Sequence, residues 1–317
     1  MSTPIKGIIP LLKPVGFTSH DCVNKLRKIL KTKRIGHTGT LDPSVSGVLP
    51  ICVGQATRVV EYVQELPKEY EGTVTIGKST TTEDADGELV TCQEVFPPFQ
   101  ITQIFQVLNE FTGKIMQTPP MFSAIKINGV RLHELARKGL EVERKPREVE
   151  IYSINLLKAM LDQPFPEISF RVVCSKGTYV RTLCVDIGQA LGYPAHMSFL
   201  QRTASGPFKL EDCFTFEEIE QAVREDKIGR LFRPLDEALV QYPKYEVPME
   251  KVKDVWNGKQ LKITDVFPGT FNEGQLIRVY STGQQFLALY KVVRHEGELL
   301  AKPEKVFHVE GEMNHER

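Results

Sequence analysis

The chain predicts an α/β (α+β) fold: a mixed, largely antiparallel sheet flanked by helices, followed by a small β barrel. Two observations point there. Up to about residue 240, segments with helical apolar spacing alternate with segments of strand character. From Tyr245 to Val309 the pattern turns to short strands and turns: Leu261–Ile263, Leu276–Tyr280, Gln285–Val293 and Leu299–Lys302. Residues Pro234 to Pro248 read as the boundary, giving a first domain over 1–240 and a second over 245–310.

Each element has its own reason. Pro10–Ser19 is an apolar strand end followed by a Pro/Gly turn, and Thr18 with Asp21 forms a capping-box pattern. A helix follows over about Ser19–Lys31, with Val23, Leu26, Ile29 and Leu30 on its apolar side. Val48–Val53 reads as a strand buried on both faces, and Ala56–Leu66 returns to helical spacing. Over Lys68–Lys78, Tyr70, Gly72, Val74 and Ile76 alternate with polar residues, as in a half-buried strand. Thr80–Glu88 is a polar loop, and Thr102–Phe111 is a helix closed by Gly113.

Met121–Glu150 is irregular and holds seven basic residues, Lys126, Arg131, Arg137, Lys138, Arg144, Lys145 and Arg147, so it reads as an arm over the surface. Arg147–Ala159 and Glu167–Cys174 are strands. Gly177-Thr178-Tyr179-Val180-Arg181 leads into a helix ending near Leu191-Gly192. His196–Leu210 is a turn-rich strand region, and Thr215-Phe216-Glu217-Glu218 caps a helix reaching about Glu225.

Composition narrows the function. The 317 residues are 41% hydrophobic and 25% charged, enough for a real core and ordinary for a globular protein. No apolar run is long enough to span a bilayer, and Met1–Pro14 lacks the layout of a signal peptide, so a cytoplasmic location is the expectation. Six cysteines are scattered singly with no CxxC spacing, which argues against structural zinc and disulfides. The formal net charge is +0, but between Cys22 and Leu41 stand six basic residues (Lys25, Arg27, Lys28, Lys31, Lys33, Arg34) and no acid. A local cationic face of that kind can hold phosphates.

The most unusual stretch is Arg34–Ile51. It packs three glycines, a histidine, several hydroxyls and the single carboxylate Asp42 just ahead of a core strand. Glycine and hydroxyl residues make a loop that another molecule can approach closely. Asp before Pro commonly only starts a turn. Walker, Rossmann and GxSxG patterns are absent. What remains is a carboxylate, the aromatic Tyr70 and a Tyr179-x-Arg181 unit. An aspartate nucleophile must be ionised, which a nearby arginine favours by lowering its pKa. A tyrosine ring can stack on a base, which suits chemistry on a nucleobase taken out of its stack.

Lys13-Pro14-Val15-Gly16-Phe17-Thr18-Ser19 and Gly36-His37-Thr38-Gly39-Thr40-Leu41-Asp42-Pro43 resemble the two N-terminal motifs of the TruB-type tRNA pseudouridine-55 synthases. Lys68-Glu69-Tyr70, Gly177–Arg181 and Leu200–Phe208 are similar to the later motifs, in order, so the resemblance spans essentially the whole chain. It implies isomerisation of uridine 55 in the tRNA T loop by base flipping, with Asp42 as catalytic nucleophile. Tyr70 would stack on the flipped base, Arg181 would pair with Asp42, Tyr179 and Leu200 would line the pocket, and His37 would contact RNA near the displaced nucleotide. Lys13 and Pro14 would shape the loop beside the site, and the basic segment 121–150 would be an inserted RNA-binding arm. The C-terminal barrel would be PUA-like and hold RNA. No cofactor and no metal are implied, since the isomerisation has no net redox change. The expected partner is the T-arm stem-loop of tRNA, with no membrane, no protein partner and a monomeric state. Gln201 departs from the family, where a basic residue is commoner. Two other readings stay open: a helper that folds the tRNA elbow with dispensable catalysis, and a base-modifying enzyme such as a glycosylase. A deaminase would need a His/Cys zinc set that the sequence lacks.

Overall fold

A computed structural model describes residues 6–308 except 124, 128, 141 and 264–266. The first part of the chain builds β1 (Gly7–Lys13), α1 (Ser19–Ile29), β2 (Ile35–His37), β3 (Ser46–Val53), α2 (Val60–Glu65), β4 (Lys68–Ile76), α3 (Ile101–Glu110), β5 (Gly113–Gln117), α4 (Leu132–Ala136), β6 (Arg147–Met160), β7 (Glu167–Cys174), α5 (Val180–Ala190), β8 (Ala195–Ser205) and α6 (Phe216–Arg224). The sheet has nine strands in the order β1-β3-β8-β4-β7-β6-β5, with β2 on β3 and the short strand Phe208–Lys209 on β8. Its pairings are antiparallel except β3 with β8, which run parallel through Ser46 and Gly47 against Gln201 and Arg202. The mixed, largely antiparallel sheet is therefore as expected.

Local chemistry explains the pieces next to the site. Thr18 caps α1: its hydroxyl accepts from Asp21 N and the Asp21 carboxylate accepts from Thr18 N, both at 3.0 Å. The helix then buries Cys22, Val23 and Leu26 in a cluster with Ile9, Leu49 and Ile51. Each such aliphatic side chain contributes about 1.5–3 kcal/mol on burial. Residues Val48 to Val53 are all buried, as a strand covered on both faces requires.

The parallel join tolerates only glycine at position 47. Gly47 has φ +119°, and a Cβ there would stand 2.2 Å from the Arg202 carbonyl oxygen. The absence of a side chain is what lets β3 and β8 meet, and that meeting brings the two halves of the cleft together.

Several expectations are corrected in detail. The helical segment 56–66 is a 3₁₀ turn over Gly54–Val59 that widens into the short α2. The strand expected over Lys68–Lys78 breaks at Gly77, where φ is +94°, and Lys78–Thr80 pairs instead with Leu89–Cys92 across the loop. The region His196–Leu210 is mostly one 11-residue strand, held by pairing with β4 and bulged between Met197 and Phe199 and between Arg202 and Ala204. β5 was unforeseen because Gly113 ends α3 and also starts an edge strand with exposed Lys114 and Met116. The arm holds a small hairpin, Lys126–Ile127 with Val130–Arg131, before α4.

The C-terminal part forms β9 (Lys244–Val247), α7 (Met249–Trp256), β10 (Leu261–Lys262), β11 (Leu276–Ser281), β12 (Phe286–His295) and β13 (Glu298–Val306). Its five strands run β9-β11-β12-β13-β10 and curl over their own apolar cluster as a half-barrel. Helix α7 was unforeseen, because only Val252 and Val255 of its eight residues are buried. Residues 309 and 310 lie outside the described part. Leu289 and Phe307 of this half-barrel share one apolar cluster with Ile8, Val48, Val59 and Leu239. Tyr280 donates its hydroxyl to Asp236 at 2.6 Å, and Gln55 donates to the His308 carbonyl at 3.0 Å, so the two sheets are joined by apolar and polar contacts alike.

Gly47→Ala is expected to cost about 3 kcal/mol or more, from the left-handed backbone and the clash together. A large fall in the thermal or urea midpoint checks this; a wild-type midpoint would show that the β3–β8 join can open to admit a methyl group.

Candidate active site

Loop 38–45 is held from behind by two buried side chains. Lys13, with no exposed surface, donates its ammonium to the carbonyls of Pro14 (3.0 Å), Pro43 (3.3 Å) and Val45 (2.6 Å). Burial lowers the Lys13 pKa, and three carbonyl partners satisfy its three N–H donors. The Ser19 hydroxyl accepts from Leu41 N at 2.8 Å and reaches the Leu41 carbonyl at 3.3 Å. The Val45 amide closes a turn on the Asp42 carbonyl at 3.1 Å. Asp42 is thus both a turn residue and a carboxylate aimed off a pinned loop.

Its partner is Arg181, in the first turn of α5. Asp42 Oδ2 lies 3.1 Å from Arg181 Nε; the Arg181 side chain is 6% exposed and that of Asp42 40%. The remaining guanidinium donors are also used. Nη1 donates to the Thr82 carbonyl (2.9 Å) and sits 3.5 Å from Asp84 Oδ2, and Nη2 donates to the Phe122 carbonyl (2.9 Å). The arginine is only one of the influences on the Asp42 carboxylate. Arg181 does pull the Asp42 pKa down, but burial in the cleft outweighs it, and Asp84 and Asp86 add repulsion, so the net shift is upward. The partial exposure fits this, since the carboxylate opens onto a cleft whose walls still strip away much of its water.

The cleft has a volume of about 1270 Å³ and is lined by all six residues singled out above: His37, Asp42, Tyr70, Tyr179, Arg181 and Leu200. Tyr70 and Leu200 come from the adjacent strands β4 and β8. Leu200 pairs with Gly72, where a Cβ would stand 3.1 Å from the leucine side chain and 3.2 Å from Phe170, so the glycine makes room for both. Tyr179 precedes α5 and exchanges backbone hydrogen bonds with the Gln117 amide, accepting from Nε2 at 3.2 Å and donating to Oε1 at 3.0 Å. His37 ends β2, and its Nδ1 accepts from Gly39 N at 3.4 Å. Burial and then the Arg202 charge lower its pKa, which keeps the imidazole neutral at pH 7.

The sequence reading missed three side chains. Arg202, 1% exposed, donates to the Val48 carbonyl (2.7 Å) and the Gly39 carbonyl (3.3 Å) and bonds the Tyr70 hydroxyl. It ties the histidine loop, the core strand and the tyrosine together. Asp84, nearly buried, braces Arg181 from the hairpin loop. Lys68 donates to the carbonyls of Val63, Gln64 and Leu66 at the end of α2, and burial lowers its pKa to about 8.

The arrangement is a carboxylate paired with a buried arginine in a deep cleft beside aromatic and aliphatic walls. The overall structure is similar to that of a Cbf5–Nop10–Gar1 complex (TM-score 0.74, 29% identity, covering 97% of this chain and 91% of that one). It is also similar to an H/ACA RNP bound to a substrate RNA containing 2'-deoxyuridine (TM-score 0.72, 29% identity, 96% and 85%). The profile of the TruB family pseudouridylate synthase N-terminal domain matches residues 27–180, and that of the tRNA pseudouridylate synthase B C-terminal domain matches 181–240. Proteins named tRNA pseudouridine synthase B are similar over most of their length: 48% identical in Halalkalibacterium halodurans (95% of this chain, 97% of that one) and 53% in Geobacillus kaustophilus (81% and 91%). The chain belongs to the TruB family of pseudouridylate synthases, which are isomerases.

The electrostatics make one further prediction. Arg181 is the leading influence that lowers the Asp42 pKa, so Arg181→Met must push that pKa higher still, and Asp42 then protonates as pH falls at an earlier point than in the wild type. A carboxyl-carbon NMR titration of Asp42 in both proteins reads this directly; an equal or lower midpoint in the variant would refute the balance described.

Proposed function

We propose that this chain isomerises uridine 55 in the T loop of tRNA to pseudouridine, with Asp42 as the nucleophile. The observation that carries the reading is the Asp42–Arg181 pair at 3.1 Å on the floor of the cleft, in a member of the TruB family. Asp42 forms the covalent bond to the nucleoside. The bond from ribose C1′ to uracil N1 breaks, the uracil turns, a bond from C1′ to C5 forms, the bond to Asp42 breaks to return the free carboxylate, the C5 proton leaves to water and N1 takes a proton from water. Atoms balance with no oxidant or reductant, so the reading uses neither cofactor nor metal.

Asp42 works as the ionised form, and Arg181 offsets part of the cost of keeping it so in a desolvated cleft. Tyr70 stacks on the flipped base, while Tyr179 and Leu200 wall it in. His37, whose pKa burial lowers, contacts the RNA near the displaced nucleotide and helps it flip. Lys126 and Arg137 of the arm reach the cleft rim, where phosphates would pass. The half-barrel over 245–310 is a PUA-like RNA-holding domain beside a catalytic domain over 1–240. In this reading the enzyme is a cytoplasmic monomer. No helix among the described residues is long and apolar enough to cross a membrane.

Asp42→Asn is expected to bind tRNA with little loss and to form no pseudouridine. Product at near wild-type rate would remove Asp42 as nucleophile, and release of free uracil by the wild type would mark a glycosylase. The basic face of α1 yields a separate expectation. Lys28, Lys31 and Lys33 are exposed, whereas Lys25 is engaged by Glu220 (3.6 Å) and lies over the Phe216 ring. Neutralising those three is expected to lower the slope of log affinity against log salt by about 2–3, at roughly one counterion per phosphate contact. An unchanged slope would place this face away from RNA.

A further inference from the structure

Glu83 is a built feature that the chemistry above does not use. It stands in the hairpin loop at φ +66°, a left-handed conformation that side-chain-bearing residues rarely adopt. Such strain survives where surrounding bonds over-determine it. Here Thr182 Oγ1 donates to Glu83 Oε2 at 2.8 Å, and the Met197 amide donates to the Glu83 carbonyl at 2.9 Å. Its neighbours on either side both engage Arg181: the Thr82 carbonyl at 2.9 Å and the Asp84 carboxylate at 3.5 Å. Three consecutive loop residues therefore grip two consecutive residues of α5. Glu83 itself does not line the cleft.

We propose that Glu83 is a positioning residue for the Asp42–Arg181 pair: its hydrogen bond from Thr182 locks the hairpin loop against α5 so that Thr82 and Asp84 hold the guanidinium in register with Asp42. This rests on the reading of Asp42 as nucleophile. The charged and titratable groups facing Glu83 are Arg181, Cys184 and Asp186 on α5, Arg144 of the arm and Asp84 of its own loop. Burial raises the pKa of Glu83, and burial together with Glu83 pushes Asp186 up to about 6, so this side of α5 holds a compact, desolvated carboxylate pair.

The test compares full-length wild type with Glu83→Ala, Glu83→Gly, Glu83→Gln and Asp42→Asn. The substrate is a T-arm stem-loop tritiated at C5 of uridine 55. Single-turnover tritium release, RNA Kd and thermal midpoint are measured. Ala and Gly are each expected to slow turnover by about 10- to 100-fold, the scale of a small misplacement of catalytic groups, with Kd unchanged. Gly relieves the backbone strain and is expected to melt at or above the Ala variant. Gln keeps an oxygen acceptor for Thr182 and is expected to restore most of the rate. A purely structural role predicts the opposite for Gly, a stable protein with wild-type turnover, and that result overturns the proposal. So does a change confined to Kd, or a Gln variant as slow as Ala. An active Asp42→Asn removes the catalytic reading and this proposal with it, whereas an inert Asp42→Asn beside a fast Glu83→Gly removes this proposal alone.

Discussion

A guanidinium almost sealed from water must find an acceptor for its donors or the fold bears their desolvation. Arg181 meets that demand with partners from three separate places: Asp42 on the pinned loop, Thr82 and Asp84 in the hairpin loop, and Phe122 at the base of the arm. Its planar fork fixes directions as well as distances, which a lysine could not do. The relative placement of loop, hairpin, arm and α5 is therefore set around one side chain.

Other buried cations complete the frame, and they lean on backbone carbonyls. Lys13 holds the Asp42 turn, and Arg202 spans the histidine loop, β3 and Tyr70. Carbonyl partners satisfy the donors without cancelling the charge, so positive potential remains directed toward the cleft. This reconciles a chain of zero formal net charge with an RNA-modifying activity: local arrangement of charge, more than the total, forms the field that a phosphate backbone meets.

The fold class was legible because β3, β4 and β7 carry plain apolar patterns and α1 and α6 carry capping boxes. α7 and β5 were not, since each buries few residues and takes its form from tertiary contacts. All six candidate residues meet in one cleft, yet nothing local in the sequence says that Asp42 and Arg181, 139 positions apart, are neighbours; the ordered motifs supplied that. The net direction of the Asp42 pKa shift was not legible for a related reason. The pairing arginine can be guessed from a motif, but the desolvation that outweighs it belongs to the shape of the finished cleft. Arg202 escaped notice as a site residue because its partners are mainly main-chain carbonyls, which leave no mark in a sequence.

The glycine join between β3 and β8 has a consequence for how the protein comes to life. Strand β8 is the last segment to enter the cleft, yet it lies between β3 and β4, both made early in the chain. During synthesis the earlier strands must wait for some 120 residues before their neighbour emerges, and a long loop must close to admit it. Until then Leu200 and Arg202 are missing from the site, and the tyrosine and histidine loop have nothing to tie them. A nascent or truncated chain that ends short of β8 would hold Asp42 without its housing, so the cleft is completed late and in one step with completion of the sheet.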